Sequence, residues 1–217
     1  MKHLICLLFA PALALLMSAG CDQQLPGDTG AANESALAGG RVRTSTLKNA
    51  AGANVARVLF TKVGGDRVLA TVTVAFSGLR AGFHGFHIHA NDNAANGDGC
   101  IADPAQPANT HFVSADGHWN PTAAGHGEHA GDTPGVLVLD DGSALLSYVD
   151  EFNLDDVVGR ALILHEGMDN FGNIPPATTG DPPVVNPNGY TPNSDAAVTL
   201  TRNTGNAGNR VACGIIQ

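Results

Sequence analysis

Three histidines and an aspartate, His118, His126, His129 and Asp132, fall within the stretch GHWNPTAAGHGEHAGD (117–132). The stretch has too few bulky apolar residues for a core strand. Its histidines do not recur at helical spacing, and Pro121 with four glycines marks a loop. Three imidazole nitrogens and one carboxylate oxygen make a complete four-coordinate shell of the sort Zn²⁺ accepts, with no vacancy for water. A closed shell suits a structural ion that organises a loop; the competing reading is a solvated histidine-rich segment.

His87 and His89 lie two apart in GFHIHA (85–90), so on a strand both leave one face while Ile88 points to the other. His165 ends the apolar run ALILH. These three form an imidazole-only group suited to copper, and one loop histidine would complete four nitrogens. Spacing does not choose which one. His84, just before Gly85, reads as a hydrogen-bonding residue, and His111 is assigned no role.

Period-two runs of Val, Leu, Ile and Thr supply the elements that must position these groups: 41–48, 54–63 and 67–76, with VGGD as a hairpin turn between the last two. GVLVLDDGSALLSYV reads as a hairpin turning at Asp140-Asp141-Gly142, RALILHE as a strand and RVACGII as the closing strand. NLDDVVGR offers at most one helical turn, and no stretch predicts a long amphipathic helix. Seven or eight antiparallel strands with long loops near 90–134 and 166–205 define an all-β fold, a Greek-key sandwich or flattened eight-stranded barrel. Glycine (27) and proline (12) against few aromatics agree with many short strands and turns.

Residues 1–20 read as an export signal: Lys2, an apolar run, then small residues before Cys21. SAGC resembles a bacterial lipoprotein cleavage site, at which Cys21 would be lipidated and tether the protein to a membrane, although Ser18 stands where an aliphatic residue is usual. Ordinary cleavage nearby, leaving Cys21 a free thiol, is the other reading. Both place the protein outside the cytoplasm, in the periplasm or on a membrane, with full secretion the remaining alternative. Residues 21–40 form a polar linker and 41–217 a single domain. His3 and Cys6 leave with the signal, so Cys100 and Cys213 are the domain's cysteines, and in an oxidising compartment they form one disulfide. A net charge of −9 argues against nucleic acid or an acidic membrane surface as partner.

Taken in order, GFHGFHIH, GHWNP, HGEHAGD, LILHE and GNAGNRVACGII resemble the copper–zinc superoxide dismutase family over about residues 41–217. The resemblance implies dismutation of the superoxide anion to dioxygen and hydrogen peroxide, with one copper and one zinc per chain. It implies copper on His87, His89, His118 and His165, and zinc on His118, His126, His129 and Asp132. His118 would bridge both metals and pass a proton to the product. It further implies that Asp169 links a ligand of each metal, that Arg210 holds the anion, and that Cys100–Cys213 ties the metal loop to the barrel. Monomer and homodimer are both compatible with the sequence.

Three departures from the family pattern stand out. The interval from His126 to His129 is short, which at worst lowers zinc affinity. The segment from Glu166 to Thr204 is long and proline-rich: a cover, a contact surface or a solvated insertion. From Ala81 onward there are three arginines, no lysine and sixteen acidic residues, a formal side-chain charge of −13. Lysines that would steer an anion are absent there. Two other readings compete: a metal-holding domain of this type without turnover, a copper or zinc buffer, and an adhesion sandwich with incidental histidines. Loss of a copper histidine or of the arginine would favour the buffer, and neither is lost.

Overall fold

Alternation of small β-branched and polar residues drives the long strands to bury one face. In the computed structural model, which describes residues 41–171 and 195–217, β1 (Val42–Asn49), β2 (Asn54–Gly64) and β3 (Arg67–Ala75) form an antiparallel meander. Val58, Phe60, Val68, Ala70 and Val72 turn inward and are fully buried. β7 (Ser143–Glu151) pairs with β3, while β9 (Arg210–Ile215) pairs with both β1 and β8 (Ala161–His165). β5 (Phe86–His89) lies beyond β8. The sheet order is therefore β5-β8-β9-β1-β2-β3-β7, and β4 (Gly82–His84) pairs separately with β6 (Val136–Val138). Neighbours distant in sequence, β3 with β7 and β9 with β1, are the crossovers of the expected all-β Greek-key architecture.

The described residues form nine strand segments, because Gly85 breaks the run from 82 to 89 into β4 and β5. A side chain at Gly85 would meet Asp169 Oδ1 at 2.6 Å and His87 Cε1 at 2.9 Å, so no larger residue fits there. The β6–β7 turn falls at Asp140-Asp141-Gly142, with Gly142 at φ +79°. Residues 154–159 form turns.

One element departs from expectation. Residues Asp195–Thr204 form a helix, α1, where the sequence predicts loop. Val198, Thr199, Thr201 and Thr204 have modest intrinsic helix preference, which masks the signal. Asp195 in the first turn and Arg202 in the last complement the helix dipole. Burial of Thr201, and a hydrogen bond from His126 N to the carbonyl of Arg202 (2.7 Å), dock α1 on the histidine-rich loop. The signal, the linker with Cys21, and residues 172–194 of the proline-rich segment lie outside the described residues.

Most inward side chains join one core around Leu47, Phe60, Phe86, Ile88, Leu162 and Leu164. A smaller cluster gathers Phe112, Ala115, Ala161, Ile163 and Cys213 beneath the loop that follows β5. There the expected disulfide joins Cys100 to Cys213 across 113 residues of sequence, with Cα atoms 5.5 Å apart.

Candidate metal centre

The histidine-rich loop is laid against β5 by its two ends. Isolated bridges pair His89 with His118 and His87 with Asp132. Ala90 N donates to Gly117 O (2.9 Å), Trp119 N to Ile88 O (2.9 Å) and Ile88 N to Gly131 O (2.8 Å). Gly131 permits this approach, since a Cβ there would collide with the Ile88 carbonyl. Arg160 caps the contact: its guanidinium lies 4.6 Å from the Trp119 ring centre, and Nη1 donates to Ala90 O (3.0 Å).

This pairing brings the predicted residues together. One ligand atom from each of His87, His89, His118 and His165 falls within 4.8 Å of the others, and all four residues are buried. The hydrogen bonds assign their ring nitrogens. His89 Nδ1 faces the carbonyl of Asp116 (2.8 Å) and His165 Nδ1 that of Gly208 (3.2 Å). A carbonyl only accepts, so these nitrogens carry the proton and leave Nε2 with its lone pair. His87 Nε2 lies 3.0–3.1 Å from the carboxylate of Asp169, which leaves Nδ1. His87 Nδ1, His89 Nε2, His118 Nε2 and His165 Nε2 are buried and have no hydrogen-bond partner among the described residues. Four orphaned, desolvated acceptors aimed into one space form a donor set for a metal ion, and an imidazole set suits copper.

The second set shares His118. Asp132 Oδ1 lies 2.8 Å from His118 Nδ1 and 3.2 Å from Nδ1 of both His126 and His129, while the His118 and His129 Nδ1 atoms are 3.3 Å apart. An ion bound tetrahedrally at about 2.0–2.1 Å spaces its ligands by about 3.3 Å, so this quartet fits zinc. His129 Nε2 is satisfied by Ala124 O at 3.1 Å, which turns Nδ1 inward. By mutual distance alone, His87 also groups with His118, His126 and Asp132. The Asp169 hydrogen bond uses its Nε2, however, and its remaining nitrogen is left without a partner among the described residues, like those of His89 and His165. Asp169 also lies 3.8 Å from His126 Nε2, within reach of a ligand of each set.

Burial pushes His87, His89 and His165 well below the ordinary 6.5 of histidine, with neighbouring cationic groups adding to it. Burial also lowers His118, partly offset by Asp132. All four are therefore held neutral, as ligands must be. Burial pushes the Asp132 carboxyl up, but hydrogen bonds from His118 and His126 outweigh it and hold the group ionised far below the usual carboxylate range. Asp169 is raised by burial, against the pull of its histidines.

Arg210 opens the copper side to solvent. It lines a cleft of about 440 Å³ with His89, His165, His111, Glu166 and Asn209. Burial lowers its guanidinium to about 10, which leaves it cationic at neutral pH. A cleft of similar size, about 470 Å³, lies by the disulfide and holds none of the histidines. His84 has the hydrogen-bonding role read from sequence, bridging His165 O (2.9 Å) and Arg80 O (2.8 Å). His111 pins its own loop through the carbonyls of Asp103 (3.0 Å) and Gln106 (3.1 Å). Sequence reasoning missed the carbonyls of Asp116, Gly208 and Ala124 that fix the rings, because a carbonyl carries no residue signature. It also missed Gly205, at φ +62°, whose hydrogen faces His126 Nε2 and Asp169 where any side chain would intrude.

Fold and site together define a dinuclear metalloprotein on an antiparallel β scaffold. The family model described as copper/zinc superoxide dismutase (SODC) matches residues 55–216. "Superoxide dismutase [Cu-Zn]" of Mycobacterium tuberculosis is 40% identical over 185 residues, spanning 82% of this chain and 71% of its own. That of Mycolicibacterium paratuberculosis is 38% identical over 197 residues, spanning 88% and 80%. A solved structure described as the clock protein EA4 is 24% identical, covers 81% of this chain and 93% of its own, and has a TM-score of 0.54, which supports the fold. The chain belongs to the copper/zinc superoxide dismutase family. It is an oxidoreductase with copper and zinc as cofactors and superoxide as substrate.

The depressed imidazoles make the metal-free protein acid-sensitive. In the unfolded chain they take up protons near 6.5, whereas the folded site refuses them to lower pH, so folding stability is full above 6.5 and falls as pH drops toward the folded values. Asp169 acts in the opposite sense but is one group against four. Denaturant unfolding of the metal-free protein is expected to lose at least ~1.4 kcal/mol between pH 7.5 and 5, the equivalent of one imidazole shifted by a unit. An unchanged midpoint would show that the rings are not buried neutral.

Proposed function

We propose that His87, His89, His118 and His165 hold the copper, that His118, His126, His129 and Asp132 hold the zinc, and that Arg210 holds the superoxide anion in the cleft. The observation that carries this reading is the set of four buried, unpartnered ring nitrogens beside a fixed guanidinium. Copper, when bound, supplies a one-electron couple that oxidises one superoxide to dioxygen and reduces a second to hydrogen peroxide, while zinc supplies charge and no redox change.

The protein's own groups do the rest. Arg210 presents fixed N–H donors where negative charge gathers, so no reorganisation is needed during reaction. His118 has Nδ1 held beside Asp132 and Nε2 facing the copper set, which allows Nε2 to carry a proton to the developing peroxide while the ring stays oriented. Asp169 keeps the proton of His87 on Nε2 and so directs Nδ1 inward. The metal buffer is the weaker reading, since the complete donor set and the cleft arginine occur together.

His165→Ala is expected to cut superoxide consumption by at least about a hundredfold and to halve bound metal, with zinc retained; metal analysis beside the rate checks both. Full turnover in this variant would remove His165 from the copper set.

The shortage of lysine after residue 80 leaves Arg210 and the bound ions to attract the substrate locally. The rate is therefore expected to change little, or to rise, from 10 mM to ~150 mM salt, where the screening length falls from roughly 30 to 8 Å. A steep fall would show long-range steering by other cations.

We further infer that residues 1–20 direct export and that Cys21 is lipidated, supported by the apolar leader and by a disulfide suited to an oxidising compartment. Detergent phase partition of the parent and of Cys21→Ala tests this: the parent is expected in the detergent phase and the variant in the aqueous phase. A parent in the aqueous phase would leave ordinary cleavage.

A further inference from the structure

Arg210 is held at both arms by one short turn. Its Nη1 donates to Phe112 O (2.5 Å) and its Nη2 to Asp116 O (2.6 Å). Those two residues flank the 3-10 turn Val113–Ala115, and both have positive φ without being glycine: Phe112 at 58° and Asp116 at 64°. With ψ at −159°, Asp116 occupies a region that is essentially reserved for glycine. Such a conformation persists only where its surroundings over-determine it.

The surroundings here are unequal at the two ends of the turn. Phe112 is fixed by packing, buried against Ile163 and Cys213. Asp116 is fixed by its carboxylate. Oδ2 accepts from Asp92 N (2.8 Å) and Asn93 N (2.9 Å), and Oδ1 from Asn96 Nδ2 (2.5 Å). Its carbonyl is thereby aimed at two functional groups at once, Arg210 Nη2 and His89 Nδ1 (2.8 Å). Glycine would adopt the same φ more easily but would bring no anchor.

The geometry points to Asp116 as a positioning residue: its carboxylate clamps the 92–96 segment, and its strained carbonyl sets both the His89 ring and the Arg210 guanidinium for anion binding. The inference rests on the assignment of Arg210 and His89 proposed above. An aspartate accepting three N–H groups makes a stiff joint, because hydrogen bonds to a charged acceptor are the stronger kind. The same carboxylate favours the charged form of Arg210.

The test uses the copper- and zinc-loaded protein and azide as the probe anion, followed by its charge-transfer absorption on copper(II), beside the copper electron paramagnetic resonance spectrum. Asp116→Gly and Asp116→Ala are expected to weaken azide binding by roughly tenfold, the scale of one hydrogen bond to a charged group. Both should shift the copper spectrum as His89 loses its fixed acceptor, with one copper and one zinc still bound. Asp116→Asn, which keeps one acceptor oxygen but turns an N–H toward the loop amides, is expected to lose about threefold. Azide binding within twofold of the parent in Asp116→Gly overturns the inference, as does loss of copper in place of weakened anion binding. If Gly or Ala fails to fold, the isosteric Asn variant decides by the same twofold criterion. Arg210→Ala separates the two levels of argument. If it leaves azide affinity unchanged, the assignment of Arg210 fails; if it weakens azide while the Asp116 variants do not, the role of Asp116 alone fails.

Discussion

Everything at the metal centre depends on backbone hydrogen bonding between β5 and residues 117–131. β5 has β8 on one side and the histidine-rich loop on the other, so the loop acts as a further, irregular strand. A strand with partners on both sides cannot rotate, and its alternate side chains are fixed in direction. His87 and His89 therefore point to one place, and the bridges to Asp132 and His118 set the two ends of the loop opposite them. Backbone pairing thus gathers the donor atoms in one place. Their cost is desolvation: seven ring and carboxylate atoms of the site are buried without a hydrogen-bond partner among the described residues. An ion that accepts those lone pairs recovers what burial withheld, which couples metal binding to the stability of the fold.

The strands and the clustered histidines were legible because each has a residue signature. Alternation marked β1 to β3, the Asp-Asp-Gly turn marked the β6–β7 hairpin, and the two-residue spacing of His87 and His89 announced a common face. The family resemblance then named His118 as the histidine shared by the two groups, a choice that spacing alone left open. The helix Asp195–Thr204 was not legible, because its threonines and valine speak for strand or loop and its docking on the His126 loop is a tertiary effect. Nor were the partners that orient each ring. Asp116, Gly208 and Ala124 contribute carbonyls, and any residue can do so. Even Asp116, whose side chain is chemically distinctive, gave no sign that it stands in a glycine conformation.

Electrostatically the chain separates local from distant effects. Acidic residues outnumber basic ones sixteen to three after residue 80, so this part of the chain offers an approaching anion few cations beyond the cleft. Within the cleft Arg210 is partly shielded from solvent, so its charge acts through a medium less polar than water. Burial that makes a guanidinium costly also makes it effective, provided that it cannot turn away. Two carbonyl acceptors and the anchored turn supply that restraint.

The two halves of the centre rest on different parts of the chain, and this divides their dependence on the fold. The copper side leans on β8, β9, the disulfide and the Phe112 cluster, all tied to the sheet through long-range pairing. The zinc side leans on loop against helix: His126 is fixed by the carbonyl of Arg202, and its ring is faced by Gly205 and stacked on by the exposed Phe171, 5.5 Å away and nearly parallel. Loops and a ten-residue helix make fewer buried apolar contacts than a sheet and open more readily. The side that carries His126 therefore has the less rigid frame, and an ion held there would have more to organise. His118 belongs to both halves. Its position on the β5 edge joins them through one imidazole ring, with Nδ1 beside Asp132 and Nε2 grouped with His87, His89 and His165.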